Sequence, residues 1–313
     1  FDVPVSLDTY KSGVAREGLR AGADMINDIW GLQYDPAMAK VIADADAACC
    51  LMHNREKAEY EDFQKDFLED ICKKAIEIDL DEICFTEHFD VDPKDVSYGV
   101  LDYKAYHECI ELCKQKYGNK LNIKRGLEIG EPHLKPYLET LKSEIEKMDL
   151  DFIIGSVHNI NSVKLRLTMP SKTKSKIYED YFNEILAMVK IADIDIIGHL
   201  DLMKRYAFAD YGNYEFGGYK DIIEEILTIA IKRNIGLEIN TSGLRNKVNE
   251  VYPKIEILNL YKKLGGEIIT IGSDSHSTDD CFSYCKQGYD LLKACGFEKI
   301  YTFTKRCPIE HKI

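Results

Sequence analysis

The sequence predicts an α/β protein built on a parallel barrel or barrel-like sheet. Short β-branched runs alternate with longer amphipathic segments along the chain, and this alternation is typical of repeated βα units. Several of the apolar runs end in a His, Asp or Glu side chain. Because the active sites of parallel barrels lie at the carboxyl ends of the strands, we expect these polar side chains to face one rim.

Strands and helices follow from the period of the apolar residues. Two helices are clear, 60–79 and 218–232, because apolar residues recur there at helical spacing and form stripes that face a core. The expected strands lie at roughly 3–7, 24–28, 48–53, 82–86, 121–128, 151–156, 195–198, 235–240, 267–272 and 299–303.

Composition limits the class of protein. The 313 residues, 45% hydrophobic and 30% charged, suffice for one large α/β domain or two modest ones. The net charge of −13 disfavours nonspecific attraction to nucleic acid or an anionic membrane. The ten cysteines have no CxxC spacing, so neither a zinc knuckle nor a disulfide framework is expected.

Location and partners are predicted from what the sequence lacks. The chain has no apolar run long enough to span a membrane, and its first residues do not resemble a secretion signal. We therefore expect a cytoplasmic protein that binds neither membrane nor nucleic acid, although a small phosphorylated substrate could still bind through a local pocket. The oligomeric state does not follow from the sequence.

Six potential metal ligands stand at or just after the ends of five strands. A lone histidine in such a place is more often structural, but packing alone does not put a ligand at five strand ends. Mixed nitrogen and oxygen donors suit zinc, manganese or iron, so the pattern predicts two or three divalent ions and a metal-dependent hydrolase. The six residues are His88, Glu128, His158, His199, Asp274 and His276.

A basic stretch, 164–176, follows His158 directly. It is interpreted either as a flap over the site, which would suit an anionic substrate, or as a solvated surface loop.

From about Ile71 to Ile313 the motifs resemble one family, the histidinol-phosphatase branch of the PHP (polymerase and histidinol phosphatase) superfamily. The resemblance implies a PHP-type barrel, distorted and TIM-like with about seven strands, and usually a trinuclear metal site. It also implies hydrolysis of L-histidinol phosphate to histidinol and phosphate. The motifs are Ile83-Cys84-Phe85-Thr86-Glu87-His88, Gly126-Leu127-Glu128, Ile154-Gly155-Ser156-Val157-His158, Gly198-His199-Leu200-Asp201, Glu238-Ile239-Asn240-Thr241-Ser242-Gly243-Leu244-Arg245 and Gly272-Ser273-Asp274-Ser275-His276.

The same resemblance implies roles for individual residues. Glu128 would bridge two of the metals, and Asp274 or His276 would pass a proton to the leaving oxygen. Arg245 and Arg205 are the candidates for holding the phosphate, because a guanidinium presents paired donors to its oxygens. For either arginine a surface ion pair is the alternative.

The beginning of the chain departs from that family, whose first strand carries a His-x-His motif that is absent here. Residues 1–70 instead resemble dihydropteroate synthase, in which Asp8 and Asn27 would correspond to pterin-contacting positions. The motifs are Pro4-Val5-Ser6-Leu7-Asp8-Thr9-Tyr10, Gly22-Ala23-Asp24-Met25-Ile26-Asn27-Asp28-Ile29-Trp30-Gly31 and Leu51-Met52-His53-Asn54-Arg55.

The two resemblances predict two parts. Residues 1–70 would be a dihydropteroate synthase-like partial βα segment, which adds N-terminal βα units, and residues 71–313 a PHP-type phosphatase domain. The mixture indicates a gene fusion, a recombinant chimera or a mis-assembled reading frame. Because 48–53 precedes the helix before the His88 strand, His53 could replace one of the absent ligands; otherwise it is a remnant of its former fold.

Three functions stay open on sequence grounds. The first is a PHP-type phosphomonoesterase, impaired if the missing ligands empty a metal position. The second is a pterin-binding transferase, and the third is an inactive barrel that binds metal without turnover. Dinucleotide, P-loop and serine-hydrolase sites are excluded because GxGxxG, GxxxxGK[ST] and GxSxG do not occur.

Overall fold

The structure, a computed structural model, describes residues 5–29, 32, 34–45, 47–51, 63–95, 97–169 and 172–313. Its residues divide into two units, Phe1–Phe63 and Gln64–Ile313. Among the described helices, none combines the length and the apolar character that crossing a membrane requires.

The described residues of the first unit form three short parallel strands and two helices. The strands pair in the order β1-β2-β3, and Ala15, Ile26, Met38, Val41 and Ile42 form its buried core. The elements are β1 (Ser6–Asp8), α1 (Ser12–Arg20), β2 (Met25–Asp28), α2 (Met38–Asp44) and β3 (Ala48–Leu51).

The rest of the described chain continues the alternation of strands and helices. Short 3-10 helices connect several of these elements. In chain order the elements are α3 (Phe63–Glu77), β4 (Glu82–Asp90), α4 (Tyr103–Tyr117), β5 (Asn122–Gly130), α5 (Leu138–Ile145), β6 (Phe152–Ser156), β7 (Asn159–Ile160), β8 (Val163–Lys164), α6 (Lys174–Ile191), β9 (Ile196–Ile197), α7 (Met203–Tyr211), α8 (Lys220–Lys232), β10 (Gly236–Asn240), α9 (Ile255–Lys263), β11 (Ile269–Gly272), α10 (Cys285–Ala294), β12 (Lys299–Thr304) and β13 (Cys307–Lys312).

Six of these strands form one parallel sheet in the order β11-β10-β9-β6-β5-β4. The sheet is curled into a half-barrel: the ring of His88, on the edge strand β4, lies 5.8 Å from that of His276, just beyond the opposite edge strand β11. The predicted parallel α/β barrel is therefore confirmed, with six strands in the sheet where about seven were expected. The strand β3 pairs with β2.

Inside the half-barrel, polarity changes along the strands. Side chains of β6 alternate between two faces, so Phe152, Ile154 and Ser156 share the interior face. At the amino-terminal end Phe152 packs against Phe303 of β12 with ring centroids 4.8 Å apart, and Ile154 belongs to the same apolar cluster. Ser156, at the carboxyl end, bonds to a carboxylate. One end of the interior is thus an apolar plug and the other a polar rim.

The ten expected strands all occur, and the expected helices 60–79 and 218–232 correspond to α3 and α8. Two antiparallel hairpins were not foreseen. One joins β7 to β8 immediately after the β6 strand, and the other joins β12 to β13. The first consists of two-residue strands outside the main sheet, where the βα period gives no signal. In the second, the strand β12 was expected and only its pairing with β13 was not.

Replacing Phe303 with Ala should lower the free energy of unfolding by about 3–5 kcal/mol, because it leaves a cavity beneath the barrel. Phe303 is only 5% exposed. Denaturant unfolding monitored by circular dichroism measures the loss. The control is Ile309→Ala in the partner strand β13, where the side chain is 42% exposed and the change should be within about 0.5 kcal/mol. Equal losses in the two variants would contradict the plug.

Candidate metal centre

The carboxylate of Glu128 is the centre of the polar rim. It projects from β5 and the residue is 8% exposed. Its Oε1 accepts a 2.6 Å hydrogen bond from Ser156 Oγ and lies 2.9 Å from His199 Nε2 and 3.3 Å from His158 Nε2. Its Oε2 lies 3.7 Å from His88 Nε2. Three imidazoles from three other segments therefore converge on one buried carboxylate.

Burial and hydrogen bonding act in opposite directions on these groups. Burial alone would raise the pKa of Glu128, but hydrogen bonds and charge interactions with His158 and His199 outweigh it and hold that pKa well below its usual range. Burial likewise works to lower the pKa values of His158 and His199, yet the neighbouring carboxylates leave both raised. The rim is thus arranged to keep Glu128 ionised.

The spacing of the donor atoms fits a divalent cation. The Nε2 atoms of His158 and His199 are 3.4 Å apart, and their distances to Glu128 Oε1 are 3.3 and 2.9 Å. Ligands about 2.0–2.1 Å from a tetrahedral zinc ion lie roughly 3.3 Å from one another. One donor atom each from His88, Glu128 and His158 also falls within 4.8 Å of the others. The set of imidazole and carboxylate donors around Glu128 therefore suits a divalent metal.

Asp274 and His276 lie at the solvent side of this group. Their side chains approach to 3.6 Å, Nδ1 to Oδ1, and the imidazole of His276 is 70% exposed. Ser242 Oγ donates a 3.2 Å hydrogen bond to Asp274 Oδ2. Since the His276 ring also faces that of His88, all six predicted ligands are linked by a chain of short distances.

Two of the six residues have left-handed backbone conformations. His199 has φ of +22° and Asp274 has φ of +46°, and each lies two residues beyond the last residue of a strand. Such conformations are uncommon outside glycine and are held by surrounding contacts. For His199 the contact is a 2.9 Å hydrogen bond from its backbone N–H to Glu238 Oε2.

Glu238 was not foreseen as a site residue. It is 5% exposed on β10, and burial raises the pKa of its carboxyl to about 7. A β carbon at Gly272 would lie 2.1 Å from Glu238 Oε1, so the neighbouring strand must carry glycine there. The sequence contained a signal for this position. Glu238 precedes Asn240, the last residue of β10, by two residues, so strand alternation puts both polar side chains on the same face of the sheet.

Asp90 and Ser156 were also missed. Asp90 is two residues beyond His88 on β4, and Ser156 is two beyond Ile154 on β6. The strand period of two therefore predicts that both face the interior.

The two predicted phosphate-binding arginines have different surroundings. The Arg245 guanidinium donates hydrogen bonds to the carbonyl oxygens of Ser273 (2.8 Å) and Asp274 (2.9 Å), so it holds the loop that carries Asp274. Arg205 is exposed and its guanidinium lies 5.9 Å from the centre of the Tyr206 ring.

Most lysines of the basic stretch 164–176 are bonded to carboxylates or backbone carbonyls. Lys164 pairs with Asp95 at 2.7 Å, Lys172 and Lys176 both pair with Asp180, and Lys174 donates to two backbone carbonyls. Arg166 is exposed.

Arg166 lies close to the candidate ligand His158 in the sequence. The preceding residue, Leu165, donates a 3.0 Å backbone hydrogen bond to the carbonyl of His158. Arg166 therefore follows a residue that is bonded to the backbone of a candidate ligand, and its own side chain is exposed.

The remaining sequence candidates lie in or near the first unit. Asp8 and Asn27 are paired in register on β1 and β2, with Asp8 exposed and Asn27 half-buried. His53 lies outside the described residues, so its proposed role as a ligand stays a prediction.

Comparison with known proteins identifies the family. The model of the PHP domain matches residues 53–242, which is more than half of the chain. The chain belongs to the PHP domain family. The matched range includes four of the six candidate ligands, and Asp274 and His276 lie beyond it.

Relatives and a solved structure agree with this PHP assignment. A probable histidinol-phosphatase of Clostridium acetobutylicum is 32% identical over 72% of this chain and 86% of its own length. The histidinol-phosphatase of Lactococcus lactis is 30% identical over 74% and 86%. The crystal structure of histidinol phosphate phosphatase from Lactococcus lactis, in complex with zinc, L-histidinol and phosphate, superposes with a TM-score of 0.71 at 29% identity, covering 77% of this chain and 91% of that one.

The PHP chain also matches part of the length of dihydropteroate synthases. The dihydropteroate synthase of Clostridium beijerinckii is 41% identical over 134 residues, which is 43% of this chain and 45% of that protein. The chain thus spans less than half of the synthase, consistent with a dihydropteroate synthase-like fragment.

Replacing Glu128 with Gln should remove most of the bound metal, because the buried negative charge that the three imidazoles surround is lost. Elemental analysis of the purified variant after dialysis against zinc or manganese measures it. The control is Glu82→Gln. Glu82 is the first residue of β4, at the end of the strand away from His88, and its side chain is 16% exposed, so this variant should keep the parent metal content. Full metal content in Glu128→Gln would contradict the assignment of Glu128 as a ligand.

Proposed function

We propose that this PHP protein is a metal-dependent phosphomonoesterase that hydrolyses L-histidinol phosphate to histidinol and phosphate. The observation that carries the proposal is the buried Glu128 carboxylate, surrounded by His88, His158 and His199 at the spacing of metal ligands. Relatives at 30–32% identity that span most of the chain carry the name histidinol-phosphatase, which supports the choice of substrate.

The proposed ligands are the six residues predicted from the sequence. They would hold two or three divalent ions; zinc, manganese and iron all suit the donor set. When bound, such ions stabilise charge on phosphoryl oxygens and provide a nucleophile at neutral pH.

The chain's own groups would prepare and complete the reaction. Ser156 fixes Glu128 through its 2.6 Å hydrogen bond, and Glu238 holds the backbone of His199. Asp274 and His276 stand at the solvent side, where one of them could deliver a proton to the departing alkoxide oxygen. His276 can then recover its proton from water, because it is 70% exposed.

The phosphate would be held by arginine. We keep Arg245 and Arg205 as candidates and add Arg166, since its lysine neighbours are engaged by carboxylates and carbonyls. Arg245 already donates to two carbonyl oxygens, which indicates that it also shapes the loop at Asp274.

We also propose the division into a dihydropteroate synthase-like segment, 1–70, and a phosphatase domain, 71–313, in a chimeric cytoplasmic protein of histidine biosynthesis. Each of the two described units has its own buried core. A pterin-binding transferase is less well supported, because the described first unit has only three strands. An inactive barrel would appear as metal binding without phosphate release.

Phosphate release from L-histidinol phosphate should require metal and should stop on addition of a chelator. Replacing Asp274 with Ala should lower kcat/KM by about a hundredfold or more, since a charged ligand and its bond to Ser242 are lost together. A colorimetric phosphate assay with added zinc, manganese or iron measures both effects. Release that survives chelation and the Asp274 substitution would contradict the proposal; metal binding without any release would favour the inactive barrel.

Arg166→Ala should raise KM for L-histidinol phosphate by about tenfold, because it removes a charge-assisted hydrogen bond worth about 1.5–3 kcal/mol. Steady-state kinetics measure KM and kcat separately. Arg20→Ala is the control: Arg20 is an exposed arginine paired with Glu17 in the first unit, and its loss should leave KM unchanged. An unchanged KM in Arg166→Ala would return the phosphate contact to Arg245 or Arg205.

A further inference from the structure

Asp90 is a buried carboxylate with an incomplete set of partners. The residue is 5% exposed, and its Oδ1 has no hydrogen-bond partner among the described residues. Leaving a buried carboxylate oxygen without a donor costs free energy. Some function of the site is therefore the natural reason for keeping an aspartate here.

The imidazole of His158 lies next to that oxygen. Its Nδ1 is 4.0 Å from Asp90 Oδ1, while its Nε2 faces Glu128 Oε1 at 3.3 Å and His199 Nε2 at 3.4 Å. The ring therefore spans the space between Asp90 and the candidate metal centre. A histidine that binds a metal through Nε2 carries its proton on Nδ1, and an acceptor at Nδ1 selects that tautomer.

The register of the sheet creates the space for this approach. β4 and β5 pair so that Asp90 lies opposite Gly130. A β carbon at residue 130 would come within 2.1 Å of Asp90 Oδ1 and 3.4 Å of His158 Nδ1. Any side chain there would displace the carboxylate, so glycine at this position and aspartate opposite it belong to one arrangement.

The backbone beside the ring is held independently. The carboxylate of Glu131 accepts hydrogen bonds from the backbone N–H groups of His158 and Asn159. The loop that carries His158 is thus anchored by Glu131, and what remains free is the rotation of the imidazole. Asp90 is placed to limit that rotation.

We propose that Asp90 is a positioning residue for the metal centre: its carboxylate accepts the Nδ1 proton of His158 above Gly130 and fixes the ring with Nε2 toward the metal. The inference rests on the proposed metal site and deepens it. Closing the 4.0 Å separation to a charge-assisted hydrogen bond of about 2.7–2.9 Å requires a movement of about 1 Å.

Metal titration of the full-length protein tests this role. Asp90→Asn should weaken Co²⁺ and Zn²⁺ binding by about 10- to 100-fold, the usual effect of removing the partner of a metal-ligating histidine, and should alter the visible absorption of bound Co²⁺. The matched control is Asp92→Asn. Asp92 is also buried, at 3% exposure, but its Oδ1 caps the backbone of Lys94, so the parent affinity should be kept.

A second variant separates positioning from stability. Asp90→Ala and Gly130→Ala should each reproduce the weaker Co²⁺ binding, and the two losses should not add in the double variant Asp90→Ala, Gly130→Ala, because both remove the same contact. Circular dichroism and the melting temperature of the metal-free proteins show whether folding is affected.

The outcomes distinguish this inference from the metal site itself. A parent protein that binds neither Co²⁺ nor Zn²⁺ would refute the proposed metal site. A parent that binds both metals, with Asp90→Asn within about twofold of it or with Asp92→Asn equally impaired, would refute only the role of Asp90. Additive losses from Asp90→Ala and Gly130→Ala would also refute that role.

Discussion

The structure of the site depends on one constraint, the burial of the Glu128 carboxylate inside a curled sheet. A buried charge is tolerated only when it is paired and hydrogen-bonded. Here the partners are Ser156 and the imidazoles of His88, His158 and His199, which come from β4, from β6 and the residues just after it, and from the segment that follows β9. Without positive or metallic partners the same carboxylate would destabilise the barrel. The contacts that stabilise the charge of Glu128 are therefore the same contacts that give the rim the spacing of a metal centre.

The opposite end of the interior explains why the rim can be so polar. Phe152, Ile154, Ile196 and Phe303 form an apolar cluster beneath it, which excludes water from that end of the barrel. Because the apolar cluster lowers the local dielectric, the hydrogen bonds and charge interactions around Glu128 are stronger than they would be in water. The hairpin that carries Phe303 thus contributes to the site although it lies outside the main sheet.

Groups behind the ligands organise them by different means. Glu238 holds a strained backbone at His199, Glu131 holds the backbone at His158, and Arg245 holds the carbonyls at Asp274. Because these three ligands follow strand ends rather than lying within the strands, the sheet alone does not orient them. A layer of carboxylates and a guanidinium supplies that orientation, as is common around metal sites.

The sequence by itself determined the parallel α/β class, the ten strand positions and the six candidate ligands, because strand period and strand-end residues are local properties of the chain. It did not reveal that β3 pairs with β2, that Arg245 binds carbonyl oxygens, or that Asp90 approaches His158 above Gly130. These depend on register and curvature, which bring together residues from distant segments. Only the tertiary structure decides which side chains of neighbouring strands share one layer.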